Sequence, residues 1–202
     1  MSTSTSVGRR RRRAPDRGLS EPDVDSPASD VEPADPGSVA RGLLLRKLTN
    51  APATRAQLAD LLSSRGIPDD VADEVLGRFE EVGLIDDASY ASLWVESRQR
   101  GRGLARRALR QELAQRGVAP ELIEQSLEAV SPDTERATAR ALVLRKLSAT
   151  STLERQARVR RLVGMLARRG YPSGLALAVV LDALGGEADD DEPPGAFGSL
   201  DD

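Results

Sequence analysis

The sequence predicts an all-α protein: three tandem three-helix repeats forming an elongated, curved helical array between disordered tails. Three observations carry this. The nonapeptide ARGLLLRKL at 40–48 returns as ARALVLRKL at 139–147, with seven of nine positions identical. Three further stretches align on Gly66, Gly117 and Gly170, at offsets of 51 and 53 residues. Strand-like alternation is absent. Self-similarity at a fixed period of this length is the mark of a repeat architecture.

Each glycine register repeats the same apolar positions. Eight and four residues before the glycine, and one, five and ten after it, stand Leu58, Leu62, Ile67, Val71 and Leu76. The second register has Leu109, Leu113, Val118, Leu122 and Leu127, and the third has Leu162, Leu166, Tyr171, Leu175 and Val180. The two leading positions share one face of a helix at the 3.6 period. A C-terminal glycine takes the left-handed conformation that ends that helix. The arginine before each glycine, Arg65, Arg116 and Arg169, suits the negative end of the helix dipole. Pro68, Pro120 and Pro172 then stiffen the entry to the next helix.

A further helix precedes each pair. Ser38 is the expected cap for 39–49, Asp86 or Asp87 for 88–99, and Ser131 before Pro132 for 133–148. Thr54 with Gln57, and Ser151 with Glu154, read as capping boxes. The predicted organisation is an N-terminal tail over 1–38, repeats over 39–85, 86–130 and 133–184, and an acidic tail over 185–202. Both tails have too few apolar residues to offset chain entropy and are expected to be disordered. The stretch TRAQLADLLSSRGI also resembles the start of a DNA-binding helix-turn-helix, but repeats two and three reproduce its pattern without that motif's full spacing.

Composition removes whole classes of chemistry. The 202 residues contain no cysteine and no histidine, so thiol nucleophiles, imidazole bases and the usual zinc sites are excluded. No phosphate-binding glycine loop is present. The adjacent Asp86 and Asp87 are explained by helix capping. The chain is therefore expected to be neither an enzyme nor a holder of any cofactor or metal. With no membrane-length apolar run and no signal-peptide core, a soluble cytoplasmic protein is expected. The net charge of −3 conceals segregation. Residues 39–97 hold 6 basic and 10 acidic residues, 98–116 hold 7 and 1, and 133–169 hold 10 and 3. Separation on this scale points to a charged partner.

The stretch IDDASYASLWVESRQRGRGLARRALRQELAQRGV resembles the central signature of the RecX regulatory proteins. The matching residues are Asp86, Asp87, Tyr90, Ala91, Trp94, Arg98, Gly103, Leu109, Leu113 and Gly117. RRLVGMLARRGYP is similar to that family's third-repeat signature. The resemblance spans about 39–184. It implies three tandem three-helix repeats and a non-enzymatic regulator of DNA repair and the SOS response. Such a protein binds the RecA recombinase, lodges in the groove of the RecA–single-stranded-DNA filament, and inhibits its strand exchange and ATPase. The competing reading is a helical DNA-binding protein acting without RecA.

The expected binding residues are basic side chains of the second and third repeats: Arg98, Arg102, Arg106, Arg107, Arg110, Arg158, Arg160, Arg161 and Arg168. On a helical wheel with Leu109 or Leu162 at the core, Arg107 and Arg160 point about 160° away at 100° per residue. They share one repeat position, where the first repeat has Ala56. The expected partners are RecA, its filament and DNA directly, with no membrane, for a monomeric chain. Arg65, Arg116 and Arg169 are assigned to helix ends, and Arg145 and Lys146 to the repeat itself. Tyr90 and Trp94 are read as core anchors, since a base-stacking surface needs several exposed aromatics.

Overall fold

The computed structural model describes residues 35–190. Among them are nine α-helices, one 3-10 turn and no strand. They fall in three successive triplets. The first is α1 (Pro36–Asn50), α2 (Arg55–Ser63) and α3 (Asp69–Glu81). The second is α4 (Asp87–Arg102), α5 (Arg106–Ala114) and α6 (Pro120–Leu127). The third is α7 (Pro132–Leu147), α8 (Arg155–Ala167) and α9 (Ser173–Asp190). In each triplet the first helix packs on the third: α1 on α3, α4 on α6, α7 on α9.

The glycine registers close each middle helix as the sequence implies. Gly66, Gly117 and Gly170 have φ of 71°, 75° and 88°. The residue after each donates its N–H five residues back: Ile67 to the Leu62 carbonyl, Val118 to Leu113 and Tyr171 to Leu166. This is the Schellman pattern, which satisfies carbonyls that the helix end would otherwise leave orphaned.

Each triplet has its own core. Leu44, Leu58, Leu62 and Leu76 are fully buried in the first, Leu109, Leu113, Leu127 and Val130 in the second, and Val143, Leu166 and Val180 in the third. Each such side chain stabilises the fold by about 1.5–3 kcal/mol. One aligned position behaves differently. Val71, Leu122 and Leu175 are only half-buried in all three triplets, and the next residues, Ala72, Ile123 and Ala176, are buried instead. The third helix thus buries the expected position ten after the glycine, with Leu76, Leu127 and Val180, but at its start the core is met one residue later than expected.

Helix starts are largely as expected. Thr54 and Gln57 form the reciprocal capping box, Asp86 caps α4 through the Ser89 N–H, and Ser131 caps α7 through the Thr134 N–H. Two differ. Helix α1 begins at Pro36, three residues earlier than expected, because the Asp35 carboxylate accepts from the N–H groups of Gly37 and Ser38. The Ser151–Glu154 box does not form. A 3-10 turn, Ser148–Thr150, extends the chain beyond α7, and the Ser151 hydroxyl turns back to the Ser148 carbonyl. Glu154, at the cap position of α8, makes no side-chain cap bond. At the other end α9 carries helical backbone past residue 184, to Asp190. The tail expectations otherwise fall on 1–34 and 191–202, outside the described residues.

The triplets join through backbone. At the first joint the Thr54 hydroxyl donates to the Arg116 carbonyl at 2.6 Å, and the Asp87 carboxylate accepts from the Arg55 N–H at 2.9 Å. At the second, the Ala105 N–H donates to the Arg169 carbonyl at 2.9 Å. There the Glu135 carboxylate accepts from the Arg106 N–H at 2.9 Å. In both, the glycine turn of the later triplet sits on the start of the middle helix of the earlier one.

Candidate anion-binding clefts

Four adjoining clefts each hold two to four basic side chains. The first, of about 410 Å³, lies at the first joint and is lined by Lys47, Ala51, Pro52, Tyr90, Leu93, Trp94, Ser97 and Arg116 among others. It shares Gln57 and Arg116 with a second cleft containing Arg98, Arg102 and Glu112. Across Arg102 lies a third, of about 350 Å³, with Gly101, Leu104, Leu142, Arg145, Arg168 and Arg169. Across Arg168 lies a fourth, containing Lys146, Arg161 and Met165. The linings include nine cations and one carboxylate, Glu112. By contrast, the cleft between α2 and α3 is lined by Asp60, Asp69 and Asp73.

Glu112 organises the middle of the series. Its Oε2 accepts from Trp94 Nε1 at 3.0 Å and from Arg98 Nε at 3.2 Å. Its Oε1 accepts from Arg102 Nη1 at 3.2 Å. The Arg98 and Arg116 guanidinium carbons lie 3.9 and 3.6 Å from the Trp94 ring centroid, within cation–π range. Tyr90 stacks on Trp94 with centroids 5.9 Å apart and its hydroxyl accepts from Arg116 Nη1. Both aromatics pack against the second core. Two guanidinium groups thus lie over the Trp94 ring, which is partly buried against that core.

The nine arginines named from sequence divide into three groups. Arg98, Arg102, Arg161 and Arg168 line the clefts. Arg106, Arg110 and Arg158 are engaged within the fold. Arg106 donates to the Val130 carbonyl at 2.9 Å, and half-buried Arg158 donates to the Leu147 carbonyl at 3.4 Å. Arg110 grips Glu124 with both ends of its fork, at 2.6 and 2.8 Å. That bond holds the Glu124 carboxyl below its ordinary range. Arg107 and Arg160 are exposed, as the wheel implies, and line none of these clefts.

Five lining cations lay outside that set: Lys47, Arg116, Arg145, Lys146 and Arg169. Arg169 does serve helix ends, donating to the Met165 carbonyl in α8 at 3.1 Å and to the Arg102 carbonyl closing α4 at 3.2 Å. The same two bonds fix its guanidinium beside the third cleft. Glu112 was also missed. Its signal was its being the one acidic residue between 98 and 116.

Among the described residues no group of three or more His, Cys, Asp or Glu is placed to hold a metal, and no helix is long and apolar enough to cross a membrane.

Comparison with known proteins converges on one family. The profile described as "RecX, second three-helix domain" matches residues 86–127, and "RecX, third three-helix domain" matches 133–180. "Regulatory protein RecX" of Streptomyces lividans is 54% identical over 166 residues, covering 82% of this chain and 88% of that one. The protein of the same name from Thermobifida fusca is 51% identical over 182 residues, covering 89% and 98%. The crystal structure of RecX from Lactobacillus salivarius superposes with a TM-score of 0.67 at 18% identity, over 74% of this chain and 97% of that chain, a likeness of fold.

Proposed function

This chain belongs to the RecX family, and from that premise we propose that it regulates the RecA recombinase. It binds RecA, lodges in the groove of the RecA–single-stranded-DNA filament, and lowers strand exchange and ATP hydrolysis in DNA repair and the SOS response. It catalyses no reaction itself and works in the cytoplasm. The names of its relatives support the regulatory part of this reading.

The observation that carries the filament part is the series of basic clefts crossing both joints, nine cations against one carboxylate. A nucleoprotein filament exposes phosphates beside protein, and arginine forks recognise phosphate in a bidentate way. Repeat architectures supply extended faces for such targets. The second reading, a DNA binder independent of RecA, draws on the same clefts but ranks the targets in the opposite order.

Co-sedimentation of the full chain with RecA–single-stranded-DNA filaments tests this, with DNA alone as the control. The chain should pellet with filaments at concentrations where naked DNA retains little of it, and should lower filament ATPase over that range. Equal retention on naked DNA, with ATPase unchanged, would favour the RecA-independent reading.

A further inference from the structure

The two joints hold clefts at equivalent places, with different chemistry. Asp87 and Glu135 make the same cap across their joints, 48 positions apart. Ala91 and Ala139, both fully buried, share that spacing. It pairs Trp94 with Leu142 and Ser97 with Arg145. The 53-residue spacing of the later glycine turns pairs Gln115 with Arg168 and Arg116 with Arg169. Counting three back from the caps Thr54 and Ala105 pairs Ala51 with Arg102. So where the first joint has Ala51, Ser97, Gln115 and Arg116, the second has four arginines.

We propose that the cleft at the second joint is a phosphate site for a nucleic-acid strand. Arg102 of the second triplet and Arg145, Arg168 and Arg169 of the third hold successive backbone phosphates. This rests on the nucleic-acid part of the function proposed above.

Several arginines elsewhere in the fold are neutralised. Arg55, Arg78, Arg110 and Arg140 each face a carboxylate. Among the described residues no carboxylate lines the second-joint cleft, and of its four arginines only Arg102 has an acidic partner, reached across the neighbouring cleft. Converging like charges repel, so the arrangement is completed by a bound anion. Guanidinium forks match the oxygens of phosphate. A strand suits the place better than a lone anion. The adjoining cleft, across Arg168, adds Arg161 and Lys146, again without an acid, and a row of cations matches a row of regularly spaced phosphates. The Trp94 ring already carries two guanidinium groups, so no base stacks on it and the contact is blind to sequence. Because the cations come from both sides of the joint, the bound strand also ties the triplets together.

The test measures binding of a fluorescein-labelled oligothymidylate to the full chain, without RecA, across a salt series. Arg145→Ser with Arg168→Gln installs the residues that the first joint carries at those places. Both side chains are exposed, so melting should be unchanged. Affinity should fall about tenfold or more. The salt slope should flatten by about 1.4, two contacts at about 0.7 each on a single strand. Arg145→Lys with Arg168→Lys should keep the slope and lose only part of the affinity. Arg136→Ser, at an exposed position outside the clefts, should leave both unchanged. The proposal is overturned if the folded Ser/Gln variant binds with wild-type affinity and slope. It is also overturned if inorganic pyrophosphate or polyaspartate displaces the strand at equal charge concentration, which would assign the cleft to free phosphate or to an acidic protein. Because RecA is absent, failure here leaves filament regulation standing, and failure of the filament assay leaves this site standing.

Discussion

Gly117 is glycine for two independent reasons, and they can be separated. Its φ of 75° strains any other residue, at about 1–2 kcal/mol. A Cβ there would also collide with the Ala56 methyl across the first joint. Gly66 has the same turn, with φ of 71°, but open space around it. Gly66→Ala should therefore cost only the strain. Gly117→Ala should add an overpacking penalty of about 1–3 kcal/mol, and Gly117→Val should cost more still. Thermal melts of the three variants check the order; equal losses at Gly66 and Gly117 would mean the joint opens freely. The turn glycine was legible from its own repeat, but the collision was not, because Ala56 lies in another triplet.

Tyr171 shows the same division. Its place in the apolar register predicts burial, and it is 4% exposed. Its hydroxyl donates to the Gly103 carbonyl at 3.1 Å, a contact across the second joint that no local pattern announces. Burial, and secondarily the Glu135 charge, push the phenol up from 10.0 to about 12. A raised folded value means that the native state holds its proton more tightly than the unfolded chain. The stabilisation is thus complete below about pH 10 and is lost as pH rises through about 12. Tyr171→Phe should remove that alkaline loss and cost about 1 kcal/mol at neutral pH. Urea melts of both proteins at neutral pH and across the alkaline range measure the difference.

At the scale of helices, the starts were readable wherever the cap comes from the same segment, as at Thr54, Asp86 and Ser131. They were misread where a competing local bond wins. Thr150 winds an extra turn by donating its hydroxyl to the Leu147 carbonyl at 2.9 Å, and that moves Ser151 out of capping position. The second carboxylate of the Asp86–Asp87 pair has a role that no intra-helix rule predicts. Asp87 caps α2, in the preceding triplet, through the Arg55 N–H, and Glu135 caps α5 likewise. Burial pushes the Asp87 carboxyl up, while its bond to Arg55 pulls the other way. Asp87→Ala should cost about 1 kcal/mol, the usual worth of a helix cap, and lower Tm by roughly 2–4 °C. Asp87→Asn keeps an acceptor and should recover most of that loss. A melt unchanged in Asp87→Ala would show that the inter-triplet cap adds nothing to stability.

At the scale of the molecule, the fold was legible because every triplet repeats one pattern of apolar spacing and glycine turns. The candidate site was legible only as a charge excess. Which arginines neutralise carboxylates, as Arg110 does with Glu124, and which converge on a cleft, as Arg102 and Arg168 do with Arg145 and Arg169, depends on contacts between triplets. Apart from the clefts stand Arg107 and Arg160, exposed at one repeat position of α5 and α8. They separate the proposed contacts experimentally. Arg107→Glu with Arg160→Glu should abolish inhibition of RecA ATPase and strand exchange. Each change is at an exposed position and should cost within about 0.5 kcal/mol of stability. Neither residue lines any of the four clefts described, so binding to naked oligothymidylate should stay near wild type. Arg136→Glu is a suitable control, whereas Arg55 is not, because it holds Asp73 and Glu80 at 3.0 and 3.2 Å. A folded double variant that still inhibits RecA at wild-type concentrations would remove Arg107 and Arg160 from the interface. One that loses RecA inhibition and oligonucleotide binding together would merge these positions and the clefts into one surface.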